Sequence, residues 1–121
     1  MMQSYAEIDI ALDPVPYCGG TTTLQALWMG VPVVTLRGDH FVSRMGASFM
    51  TAAGLADWVA EDDEDYVLRA VHFSENRKAL LGLKCGLRKM ITAMPAWDIE
   101  RYAQDFEDAL KAMWINTMRT R

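Results

Sequence analysis

The spacing of apolar positions changes part-way along this chain. Near its start, "EIDIALD" (7–13) alternates apolar with acidic residues and is rich in β-branched isoleucine, the pattern of a strand. Pro14 and Pro16 stop that run, because proline donates no ladder hydrogen bond. In "TTLQALWMG" (22–30), Leu24, Leu27 and Trp28 stand three, four and one apart, which predicts a short helix closed by Gly30. "VPVVTL" (31–36) is a compact apolar run, as expected of a strand buried on both faces. Strand, helix, strand is a βαβ unit, and the handedness of such crossovers makes its strands parallel.

Beyond Gly38 a loop leads into a second small helix ending at Gly54. Ala47, Phe49, Met50, Ala52 and Ala53 make it apolar on most sides, so it is expected to be buried. "LADWVA" (55–60) fits a last short strand. From there the period is helical. The acidic run Glu61 to Asp65 reads as a helix start over 63–73, with Asp62 and Asp63 as cap candidates and negative charge at the positive end of the dipole. "SENRKALLGLKCGLRKMITAM" (74–94) predicts another helix, weakened at Gly82 and Gly86 and stopped by Pro95. The strongest periodicity is the last: Ile99, Tyr102, Phe106, Ala109, Leu110, Met113 and Trp114, with Asp98 as its N-cap.

The fold class is therefore α/β, a single partial domain with a βαβ part over 1–60 and a helical part over 61–121. Two or three parallel strands do not fill a doubly wound sheet, which usually has about five or six.

Composition narrows the classes. In 121 residues, 51% hydrophobic and 23% charged, there is material for one core without disulfides or metal. The net charge is −4 and Lys and Arg are scattered, which argues against nucleic acid as a partner. Cys18 and Cys85 have neither metal-ligand spacing nor the density of a secreted scaffold; they read as reduced structural thiols in a cytoplasmic protein. No run approaches the ~20 apolar residues of a membrane span, and residues 1–7 lack the basic-then-apolar pattern of a leader.

The candidate chemistry lies in "CGGTTTLQ" (18–25), between the first strand and the first helix. Ligands of open α/β sheets bind at the carboxyl ends of strands, and the first amides of a helix favour an anion. Gly19 and Gly20 let backbone approach a phosphate, and Thr21 and Thr22 add hydroxyl donors. The same residues equally suit a plain turn with a threonine cap. No lysine follows the glycines, so this is not a P-loop, nor is it G-x-G-x-x-G. Elsewhere, Asp9 and Asp13 flank a strand and could form an acid–base pair. His40 reads as a surface loop residue, and His72 as structural or exposed. Cys18 has nothing nearby to activate it, and Trp28, Trp58, Trp97 and Trp114 read as core or interface aromatics.

The wording of "DIALDPVPYCGGTTTLQALWMGVPVVTLRGDHFVSRMGAS", with the closing Ala112-Met113-Trp114, resembles the C-terminal lobe of glycosyltransferase family 41, typified by protein O-linked N-acetylglucosamine transferase and often associated with tetratricopeptide repeats. The likeness runs over essentially the whole chain. It implies a partial Rossmann-like C-terminal lobe of a two-lobed GT-B enzyme that uses a UDP-sugar without a metal ion. By that resemblance Gly19, Gly20, Thr21 and Thr22 cradle the nucleotide diphosphate, and Gln25 takes the ribose. Family members commonly carry His at the position of Gly20 and an acidic residue at that of Gln25, so both contacts are expected to be weaker here. Asp13 becomes a turn residue, and Arg44 either reaches a phosphate, pairs with Asp39 or caps a helix. The N-terminal lobe with its catalytic histidine candidates has no counterpart, so the chain is expected to be inactive alone. The implied partners are UDP or a UDP-sugar, that missing lobe and a protein acceptor. The alternative is a non-catalytic α/β fragment that self-associates, as a homodimer, or binds a partner.

Overall fold

In a computed structural model, which describes residues 2–119, three short strands lie side by side in chain order, all parallel. β1 (Ala11–Leu12) pairs with β2 (Val33–Leu36), and β2 pairs with β3 (Val59–Ala60). Ala11 stands opposite Val33, and Thr35 opposite Val59. The first strand is shorter than its alternating run: a 3₁₀ turn over Met2–Glu7 takes its first residue, and residues 8–10 are irregular. "LADWVA" also divides, into a 3₁₀ turn over Ala56–Trp58 and then β3. Val33, Val34 and Thr35 of β2 are buried, as a central strand covered on both faces requires.

α1 (Thr21–Trp28) connects β1 to β2, and α2 (Met45–Ala52) lies between β2 and β3. Both helices end alike. The amide of Gly30 donates to Leu27 and that of Val31 to Ala26; Gly54 donates to Thr51 and Leu55 to Met50. That double bond pattern needs a left-handed residue, and φ is +80° at Gly30 and +75° at Gly54. The Val15–Pro16 peptide is cis.

α3 (Asp63–Glu75) begins where the acidic run placed it, with the Asp65 amide donating to Asp62 Oδ1 at 2.8 Å. It runs on to Glu75 because Asn76 is the break: its Oδ1 accepts from the Ala79 amide at 3.2 Å and so opens α4 (Arg77–Thr92). α5 (Ile99–Arg119) follows a turn over Pro95–Trp97, and Asp98 caps it through a 3.0 Å bond from the Arg101 amide.

α3 packs on β2 and β3, and α4 on α1. Leu27, Val31, Val34, Met50, Leu87 and Ile91 are sealed in one core, each worth about 1.5–3 kcal/mol of apolar burial. Trp58 joins it and stacks on Phe73 with ring centres 3.8 Å apart. The other tryptophans do not: Trp28 and Trp114 are exposed and Trp97 is half-buried. Of the chain's last helix, every described residue is exposed.

Candidate functional site

The site is built from a buried carboxylate outward. Asp13 leaves β1 and turns into the protein, 4% exposed. Its Oδ1 accepts from the Gly19 amide at 2.6 Å and its Oδ2 from the Thr35 hydroxyl of β2 at 2.7 Å. Its carbonyl accepts from the Tyr66 hydroxyl of α3 at 2.8 Å. Asp13 is thus no simple turn residue; it ties the Pro14–Cys18 loop back over the strand ends. Burial raises its carboxyl above the ordinary carboxylate value, while the Gly19 and Thr35 donors pull it back. Burial, and then the charge of Asp13, raises the Tyr66 hydroxyl in turn.

Close packing around that carboxylate explains the glycine. A Cβ on Gly19 would collide with Thr23 Oγ1 and come within 2.7 Å of Thr22 Oγ1 and 3.1 Å of Asp13 Oδ1. Cys18 is buried beside it, donating to the Val42 carbonyl at 2.8 Å and accepting from the Gly46 amide at 3.2 Å, a structural thiol as expected.

Next comes the helix start. Gly20 is the N-cap residue of α1 and makes no side-chain cap bond, so the threonine-capped turn is not what forms. Thr21, Thr22 and Thr23 instead occupy the first turn, with amides that have no intrahelical acceptor. Thr21 and Thr22 are exposed and Thr23 is buried. The Gly19 amide is held by Asp13, which leaves the amides from Gly20 onward as the candidate donors. Gly20 itself has room, since a Cβ there would meet only the Met45 methyl at 3.9 Å. One turn on from Thr21 and Thr22 stands Gln25, half-buried, its Oε1 enclosed without a hydrogen-bond partner among the described residues.

Other candidates are placed elsewhere. Asp9 pairs with Lys84 at 2.9 Å, which lowers its carboxyl below the ordinary range, so Asp9 and Asp13 are not an acid–base couple. Arg44 precedes α2 and donates to the Gly38 carbonyl at 3.2 Å; among the described residues it forms no ion pair with Asp39. His40 is an exposed loop residue whose backbone is tied to Ser43, and His72 is exposed on α3. Beside the turn lies a small cleft of about 160 Å³, lined by Pro14, Pro16, Cys18, Gly38 and His40 among others. Among the described residues, no three His, Cys, Asp or Glu side chains gather as ion ligands, and no helix is long and apolar enough to cross a membrane.

Sequence reasoning missed the Asp13–Thr35–Tyr66 brace. Its one visible trace was Thr35, a lone hydroxyl inside an apolar strand, whose partner is 22 residues away.

Comparison with known proteins bears on this geometry. The profile of glycosyl transferase family 41 matches residues 5–106. A probable UDP-N-acetylglucosamine–peptide N-acetylglucosaminyltransferase SPINDLY from Eustoma exaltatum subsp. russellianum is 39% identical over 113 residues, 93% of this chain. The UDP-N-acetylglucosamine–peptide N-acetylglucosaminyltransferase of Caenorhabditis elegans is 33% identical over 107 residues, 88% of this chain. The chain spans 12% of the first relative's length and 9% of the second's. Among solved structures, an O-GlcNAc transferase variant from Thermobaculum terrenum superposes with a TM-score of 0.88 at 36% identity, over 98% of this chain and 23% of the other.

Proposed function

This chain belongs to glycosyl transferase family 41, and we propose that the first turn of its α1 holds the diphosphate of a UDP-sugar. Its architecture is a partial Rossmann-like lobe of the GT-B type, a short parallel sheet followed by helices. The observation that carries the proposal is the helix start: a glycine N-cap with no side-chain acceptor, followed by free first-turn amides and two exposed threonine hydroxyls. Donors so placed suit a leaving diphosphate, whose charge grows as the sugar bond breaks. Gly19 serves indirectly, its amide anchoring the turn to Asp13. Gln25 serves the ribose: on binding, its half-buried side chain turns its unpartnered Oε1 outward to accept a hydrogen bond from a hydroxyl. No metal ion is called for in this reading, because amides and hydroxyls take the charge.

The relatives' names give UDP-N-acetylglucosamine as donor and a peptide as acceptor. We carry both over as the substrates of the enzyme to which this lobe corresponds. The 121 residues alone are not expected to turn over: the two carboxylates considered as an acid–base pair are committed elsewhere, Asp9 to Lys84 and Asp13 to the turn.

Calorimetric titration of the chain with UDP and with uridine tests the site. UDP should bind more tightly than uridine, and Thr21→Val with Thr22→Val should weaken UDP about tenfold, the worth of ~1.4 kcal/mol of hydrogen bonding. Equal affinities for UDP and uridine would remove the diphosphate from the reading. Transfer of labelled sugar to a protein acceptor by the 121-residue chain would refute the inactivity.

A further inference from the structure

We infer that Tyr66 is a positioning residue for the diphosphate turn: from α3 it fixes the peptide through which Asp13 aims the start of α1. This role rests on the reading of that turn proposed above. Asp13 stands where the chain leaves the sheet. Its amide still pairs with β2, donating to the Val34 carbonyl at 2.9 Å, but the next residue, Pro14, has no amide to give. From there the chain crosses the strand ends and must reach Gly19 with the amide in place.

The side chain of Asp13 is fixed by its neighbours. The Gly19 amide and the Thr35 hydroxyl take one carboxylate oxygen each. Gly46 of α2 closes over them, since a Cβ there would strike both Asp13 Oδ2 and Thr35 Oγ1. Walled in by α2, the carboxylate follows the plane of the Asp13–Pro14 peptide. That plane is held by the Tyr66 hydroxyl, which donates to the Asp13 carbonyl at 2.8 Å across 53 residues of sequence.

Tyr66 is itself well anchored. Its amide donates to the Asp62 carbonyl at 2.9 Å in the capped first turn of α3, and its ring is half-buried against the core. Burial, and then the charge of Asp13, raises its hydroxyl above the ordinary tyrosine value, so it remains a donor at neutral pH. Without it, the peptide is free to rotate and draw Oδ1 away from the Gly19 amide. The amides after Gly19 then lose their common aim, and a binding constellation tolerates only about 0.5 Å of such displacement.

Calorimetry of the full chain with UDP, beside NMR of the same chain without ligand, tests the role. Tyr66→Phe keeps the ring and removes only the hydroxyl. It should weaken UDP about fivefold, the worth of one hydrogen bond. Without ligand, its Gly19 amide should move upfield and exchange faster with solvent. Phe73→Leu is the control on the same helix, where the ring stacks on Trp58. It should lower the thermal midpoint yet leave UDP affinity and the Gly19 amide unchanged. A Tyr66→Phe chain that binds UDP as the parent does, or whose Gly19 amide stays put, would overturn the role of Tyr66 alone. So would an equal loss of UDP affinity in Phe73→Leu, which would make the effect one of stability. A parent that does not bind UDP would instead sink the reading of the turn, and the role of Tyr66 with it.

Discussion

Gly19 and Gly20 are adjacent and alike in sequence, yet they meet opposite surroundings. Gly19 is packed against Asp13, Thr22 and Thr23, so Gly19→Ala should displace the turn and cut UDP affinity at least tenfold, measured by calorimetry. Gly20 opens to space, a Cβ there meeting only the Met45 methyl at 3.9 Å, so there is room for Gly20→His. By restoring a side-chain donor it should raise UDP affinity about fivefold, the worth of one hydrogen bond of ~1 kcal/mol. Asp13→Ala strands the Gly19 amide and the Thr35 hydroxyl and should cost about 2–4 kcal/mol in denaturant unfolding. Asp13→Asn should cost less, because its oxygen still accepts from Gly19 and its amide can donate to the threonine oxygen. The sign of the pH effect also follows. A carboxyl raised on folding holds its proton more tightly in the native chain, so acid does not destabilise through Asp13. Asp9 and Asp65 are lowered, by Lys84 and Arg69, so their support is present above the ordinary carboxylate value and lost as pH falls through their folded values. An ionised Asp13 behind the helix start opposes a diphosphate. Affinity for a UDP-sugar should therefore rise as pH drops through the Asp13 titration, and Asp13→Asn should flatten that dependence.

Element by element, much of the fold was legible because it rests on local signals. The acidic cap of α3, the glycine ends of α1 and α2, and the apolar run of β2 each use residues a few positions apart. The boundary between α3 and α4 was placed at 73/74, two to three residues before Asn76, because the cap bond at Asn76 breaks a helical pattern that continues on both sides. The Asp13 brace was missed for a different reason: its partners come from Gly19, β2 and α3, which only the fold brings together. The threonines were legible as a helix start, but only the backbone decided that Gly20, and not a threonine, takes the cap. A glycine just past a helix end and one inside a helix separate the same way. Gly30 has φ +80° and a Cβ there would sit 2.8 Å from the Lys84 carbonyl, so Gly30→Ala should cost about 1–3 kcal/mol by thermal unfolding. Gly82 in α4 faces open space, and Gly82→Ala should instead stabilise by about 0.5–1 kcal/mol.

At the scale of the whole molecule, the core is concentrated around β2, and the ends of the chain's architecture carry its unspent surface. The sheet end presents the first-turn amides of α1, where we propose that a diphosphate binds; α5 presents an exposed apolar stripe. The first is the more consequential, because the proposed diphosphate site would tie this lobe to the chemistry its family's name describes. It is tested most directly by following backbone amides in an NMR titration with UDP. Saturable shifts centred on Gly20 to Thr23, joined by the Gln25 side-chain amide and abolished by Gly19→Ala, are the expected result. No localised shift at millimolar UDP, or shifts centred on the cleft by Trp28 and Trp97, would contradict the assignment of the α1 turn as the diphosphate site.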